Sequence, residues 1–173
     1  MLFHDILEKI EKSSEFRKLK KEDDSIFLSG GYFVFDYENG GETMQIDFFG
    51  KDGLVSFGLE NENVISKKQE TQKHEKFSEI NARNIKLELQ DAVDIAKKEA
   101  EKSGIKQFTK IIAVLQMLDD SEAWNLTCMA GLKIFRIYVS ARSSLVIKQE
   151  TLNLFDMMKF LPGKKAKDAS YVG

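Results

Sequence analysis

Few residues in this chain have the types and spacing that chemistry requires, and each set has a plainer use. Asp119, Asp120 and Glu122 put three carboxylates into four residues, an oxygen-rich set that could hold a hard cation such as Ca²⁺. They lack the alternating ligands and central glycine of a calcium loop, whereas Asp-Asp-Ser is ordinary hairpin-turn chemistry. His4 and His74 are the only histidines, and neither has a second His or Cys at metal-ligand spacing. His74 stands in the charged run Gln72-Lys73-His74-Glu75-Lys76, where a solvated imidazole needs no special role. Cys128 is the single cysteine. It could act as a nucleophile only if a neighbour lowered its pKa, and Leu126 and Ala130 share its strand face instead. Trp124 lies on that face too, so both Trp124 and Cys128 are expected to be buried. Gly30-Gly31, Gly40-Gly41 and Gly50-Lys51-Asp52-Gly53 match no phosphate loop and read as hairpin residues. No Gly-x-Ser-x-Gly elbow occurs. The residues nominate no catalytic, cofactor or metal site, and the expectation is a protein that is not an enzyme.

The apolar residues carry more. There are 13 Phe and four Tyr. Phe33, Phe35 and Tyr37 share one strand face, with Phe48 and Phe49 nearby, and two uses remain open for them: a sheet core, or an apolar groove or association surface. Leu152, Leu154, Phe155, Met157, Met158, Phe160 and Leu161 predict a helix over Thr151–Leu161 that is apolar almost all round and must be covered on several sides. Leu152, Phe155, Met158 and Leu161 are its candidate partner surface, and a homodimer through residues 151–161 is the expected use.

Periodicity places these residues on elements. Phe3, Ile6, Leu7 and Ile10 recur at helical spacing, predicting a helix over residues 2–20. Period-two alternation follows in Phe33-Val34-Phe35, in Met44, Ile46 and Phe48, and in Val55, Phe57 and Leu59, with Asn39-Gly40-Gly41 and Lys51-Asp52-Gly53 as turns. Residues 61–83 lose the pattern and mix Lys with Glu, as a charged connector would. Ile85, Leu87 and Leu89 predict a short strand, and Gln90 to Ala100 a helix with Asp91 as N-cap and Gly104 as its stop. Ile112–Leu118, Trp124–Cys128, Phe135–Val139 and Leu145–Ile147 predict four more strands.

The fold expected from this order is α+β, with two tandem helix-plus-antiparallel-meander units and a C-terminal helix. The boundaries are 1–60 for the first unit, 61–83 for the connector, 84–150 for the second unit and 151–173 for the helix and a disordered tail. Ile85-Lys86-Leu87-Glu88-Leu89 leading into Asp91-Ala92-Val93-Asp94-Ile95-Ala96, then Ala123-Trp124-Asn125-Leu126 and Phe135-Arg136-Ile137-Tyr138-Val139, resemble a PepSY-like domain, of cystatin-like α+β type. The resemblance covers residues 84–150 and implies a non-catalytic domain that binds or restrains a protein partner, often a peptidase.

Composition narrows the classes. In 173 residues, 42% are hydrophobic and 31% charged, which excludes a disordered chain. One cysteine permits no internal disulfide, and no run approaches the roughly 18 apolar residues of a membrane span. A net charge of −2 argues against a chain-wide nucleic-acid binder. Met1 to Asp5 lacks the basic patch and apolar run of a secretory signal, so a cytoplasmic location is expected. The leading function is a binding or regulatory module with no cofactor. The alternative is a structural homo-oligomer pairing through apolar sheet or helix surfaces, followed by a small-ligand carrier or enzyme.

Overall fold

The computed structural model describes residues 2–60, 63–69 and 77–159. The helix predicted over residues 2–20 is two: α1 (Phe3–Glu11) and α2 (Ser14–Glu22). Ser13 makes the break. Its backbone is extended, its hydroxyl accepts from the Phe16 N–H at 3.1 Å and donates to the Ile10 carbonyl at 2.6 Å, and so it caps the second helix as the first ends. α1 buries Phe3, Ile6, Leu7 and Ile10, and α2 buries Phe16.

Four antiparallel strands follow in succession: β1 (Phe27–Asp36), β2 (Gly41–Gly50), β3 (Gly53–Glu60) and β4 (Asn63–Gln69). A strap over residues 77–88, containing the short 3-10 turn Ala82–Asn84, leads to α3 (Leu89–Lys102). Then come β5 (Lys110–Leu118), β6 (Ser121–Ala130), β7 (Lys133–Ser140), β8 (Val146–Asn153) and α4 (Leu154–Lys159).

The fold is α+β, but the two separate helix-plus-meander units expected from sequence are overturned. β1 pairs with β5 from Gly31 opposite Leu115 to Asp36 opposite Lys110. The strands therefore form one eight-stranded antiparallel sheet, ordered β4-β3-β2-β1-β5-β6-β7-β8, over one continuous core. The physical cause is visible in the two joining strands. Phe33-Val34-Phe35 and Ile111-Ile112-Ala113-Val114-Leu115 are apolar on both faces, which suits strands in the middle of a sheet rather than at its edges.

Smaller departures follow the same logic. β4 falls inside the predicted connector, and residues 85–88 form strap rather than strand. Glu88, not Asp91, stands at the N-cap of α3. Thr151-Leu152-Asn153 continues β8 opposite Phe135, Ile134 and Lys133, so the predicted C-terminal helix starts only at Leu154, and Phe160 and Leu161 lie outside the described residues.

The core lies between the helices and one face of the sheet. Trp124 packs its ring edges against Phe3 and Phe33, at 5.9 and 5.8 Å between centroids. Its indole N–H donates to the Leu87 carbonyl at 2.9 Å, which satisfies the polar end of a wholly buried ring. Phe16, Phe48 and Phe57 form a second aromatic cluster under α2. The core reading of Phe33 and Phe48 holds, and both are buried.

Candidate functional site

Side chains alternate along each strand, so every residue packed under the helices has neighbours on the opposite face. Tyr32, Val34, Gln45, Asp47 and Phe49 project there from β1 and β2, Leu54 and Ser56 from β3, and Val114, Gln116, Asn125 and Tyr138 from β5 to β7. No helix among the described elements covers this face. Its side chains are mostly half-buried by one another, and Tyr32 is 37% exposed.

The strap shapes one end of it. The Ile80 N–H donates to the Leu28 carbonyl at 2.8 Å, and the Lys86 and Leu87 N–H groups donate to the Ala141 carbonyl at 2.8 and 2.9 Å. Glu122, buried at the start of β6, holds the middle of the strap. It takes the Arg142 guanidinium at 2.5 Å, the Asn84 amide at 3.0 Å and the Asn81 N–H at 3.3 Å. Burial pushes the Glu122 carboxyl up, but hydrogen bonds from Arg142, Asn84, its own backbone N–H and the Asn81 N–H together outweigh it and hold the group below its ordinary value. At the far end, Glu88 accepts from the Phe3 N–H at 2.7 Å and pairs with His4, whose other ring nitrogen meets the Ala82 carbonyl at 3.1 Å. The strap is tied at both ends and in its middle.

Where the strap begins, Phe77 stacks on Phe49 with ring centroids 4.6 Å apart, and Phe49 meets Phe27 at 5.7 Å. Phe77, held in place by this stack, lines a groove of about 400 Å³ over β1, β2 and β5, together with Tyr32, Gln45, Asp47, Leu54 and Gln116. Gly30 and Gly31 form its floor. They lie within β1, next to an irregularity between Leu28 and Gly30, not in a hairpin turn as expected from sequence. A Cβ at Gly30 would stand 3.3 Å from the Leu115 carbonyl and 3.9 Å from Asp47 Oδ2, so a side chain there would fill the groove beside the carboxylate.

Asp47 accepts from the Gln45 side-chain amide at 2.7 Å, and the same amide reaches Ser56 Oγ at 3.1 Å. Among the described residues, no cation lies within ion-pair distance of Asp47. The groove thus offers one oriented negative charge beside aromatic and aliphatic surface. Further along the face, Asn125 Oδ1 is shielded and has no hydrogen-bond donor among the described residues. A second groove, of about 530 Å³, runs between α2 and the edge of β3 and β4, but its polar groups belong to exposed surface positions such as Glu15, Lys18 and Lys68.

The residues weighed in the sequence have settled places. Asp119 and Asp120 form the two-residue β5–β6 turn, with φ of 47° and 61°, and Glu122 is turned inward to Arg142 rather than toward them. Such a turn needs left-handed backbone at both central residues, which Asp tolerates better than most. Among the described residues, no group of three His, Cys, Asp or Glu side chains is placed to hold a metal. Cys128 is fully buried with Trp124, as their shared face predicts, and burial pushes its thiol up to about 12 against a weak opposing effect of Lys97. Of the candidate partner surface, Leu152 is half-buried in β8 and Phe155 is 56% exposed in α4. The Met158 side chain, Leu161 and His74 lie outside the described residues.

Sequence reasoning missed the groove. Gln45 and Asp47 read only as the polar alternates of β2. The available signal was a glycine pair inside an apolar strand pattern, which marks a close approach or a gap in the surface.

No family model matches the chain, and no curated protein matches it in sequence. Among solved structures, the crystal structure of a candidate lipoprotein from Clostridium difficile 630 is similar, with a TM-score of 0.58 over 80% of this chain and 90% of that one. The two share 14% sequence identity, so the likeness shows a common fold. No described helix is long and apolar enough to cross a membrane.

Proposed function

We propose that this chain is a non-enzymatic binding module that receives a protein partner on the helix-free face of its sheet, at the groove beside Asp47. The observation that carries the reading is the groove itself: a carboxylate with no cation beside it among the described residues, oriented by Gln45, next to the exposed Tyr32 and the half-buried Phe77. Aromatic rings on an uncovered face give a partner large contact area at low entropic cost, and one oriented charge adds specificity. The groove chemistry suits a segment that presents a basic side chain flanked by apolar ones. The resemblance of residues 84–150 to PepSY-like domains implies the same class of role. It serves a cytoplasmic protein, as the sequence suggests, and equally a lipid-anchored one, the class named for the structural neighbour. Cell fractionation separates those two settings.

Site-specific photo-cross-linking in the native cell tests the reading. A photoreactive residue at Tyr32 or Thr127, on the open face, should give a discrete adduct with another protein. The same residue at Asp94 or Lys98, on the solvent side of α3, should give none. Equal labelling from both sets, or no adduct from the open face, overturns the proposal.

A further inference from the structure

The two edges of the sheet differ in a way that points to a second copy of this chain. Among the described residues β8 ends the sheet, and its outer edge carries Val146 and Ile147, 41% and 50% exposed, preceded by Leu145 at 68%. Exposed apolar residues on an unpaired edge favour strand addition. At the opposite edge, β4 carries Lys67 beside Lys68, and two copies of that strand would bring like charges together.

β8 is self-complementary instead. Lys148 and Glu150 stand two residues apart, on the face shared with Tyr138 and Arg136 of β7. Antiparallel pairing about a two-fold axis normal to the sheet keeps each face on its own side, so the register must be centred on a residue. Centred on Gln149, it sets Lys148 opposite the partner's Glu150, and by symmetry does so twice. A shift of the centre to either neighbour sets Lys148 or Glu150 against its own copy. The β7–β8 register shifts between Tyr138 and Val139, so regular pairing is short and Ile147 closes each end of it.

We propose that the protein forms a homodimer by antiparallel pairing of β8 with β8 of a second copy, centred on Gln149, which joins the two sheets edge to edge. The contact uses the strand edge rather than the helix expected from sequence, with Leu152 and Phe155 at its margin. It leaves the groove beside Asp47 free, so dimerisation and partner binding stand or fall separately.

Sedimentation velocity on the intact chain, from low to high micromolar, should show reversible dimerisation. Lys148→Glu and Glu150→Lys each turn two attractive cross-strand pairs into repulsive ones and should weaken the dimer about tenfold or more. An equimolar mixture of the two variants restores complementary pairs and should regain dimers. Glu150 also pairs with Arg136 at 3.1 Å, so circular dichroism must confirm that Glu150→Lys folds. If it does not, Lys148→Glu must weaken the dimer more than Lys148→Gln. A wild-type monomer throughout the range, single variants that dimerise like wild type, or a mixture of folded variants that fails to recover would each overturn the proposal.

Discussion

Trp124 and Asn125 are neighbours in β6, yet they belong to opposite environments. Trp124 points under α1 and is wholly buried, with its indole N–H paired to Leu87. Asn125 points to the face without helices, where its side-chain oxygen has no donor among the described residues. The same contrast runs along the sheet: Phe33 against Tyr32, Phe48 against Asp47, Cys128 against Thr127. One face is filled to exclude water and carries stability. The other keeps oriented polar groups and partly exposed rings, and so can recognise something outside the molecule.

That division has measurable consequences. Trp124→Ala should cost roughly 3–5 kcal/mol in denaturant unfolding, because a large ring and its hydrogen bond leave a cavity against Phe3 and Phe33. Thr127→Ala, on the open face of the same strand, should cost less than about 1 kcal/mol. Similar losses at both sites would mean that the open face is covered in solution.

Thiol chemistry sharpens the contrast. With its thiol raised to about 12 from 9.0, Cys128 holds about a thousandfold less thiolate near neutral pH than an ordinary thiol, and burial denies reagents access as well. In the native protein, a maleimide or disulfide reagent should leave Cys128 unlabelled while labelling Thr127→Cys within minutes. Rapid labelling of wild type without unfolding would reverse the assignment of the two faces.

The smallest effect concerns pH at the open face's upper rim. The backbone and side-chain amides of Asn39, with the Lys110 ammonium, hold the Asp36 carboxyl down at about 2, below its ordinary 3.8. A depressed carboxyl contributes stability above its unfolded value and loses it as pH falls through its folded one. The advantage of wild type over Asp36→Asn should therefore be constant above about pH 5, shrink as pH falls below it, and be gone only at about pH 1, below both the unfolded and the folded value. Thermal unfolding of both proteins across that range measures it, and a difference that is as large at about pH 1 as at neutral pH would show that Asp36 acts through its shape rather than its charge.

Much of this was legible in the residues. The alternation in Met44-Gln45-Ile46-Asp47-Phe48 assigned β2 and its buried face. The run Asp119-Asp120-Ser121 assigned a tight turn, and the spacing of Trp124 and Cys128 put both inside. These are local properties, set by side-chain period and by the backbone preferences of single residues. The helix break was encoded too, in Ser13, but a capping hydroxyl inside an apolar period is easily read as one more polar helix position.

Other features needed distant parts of the chain. That β1 pairs with β5, merging what looked like two units, depends on which of several apolar strands meet, and strand periodicity carries no information about neighbours. The groove depends on Phe77 reaching Phe49, on Gln45 turning toward Asp47, and on Gly30 lying across from Asp47, contacts between segments up to dozens of residues apart. By itself the sequence determined seven of the eight strands at least in part, most turns and many of the side chains that avoid water, because each follows from residues a few positions apart. β4, the strap at 85–88 and the full length of β8 did not follow from it. Only the tertiary structure decided that all eight strands share one sheet, that no described helix covers its second face, and that Glu122 turns inward to bind the strap. Those outcomes follow from pairing free energies summed over the whole chain.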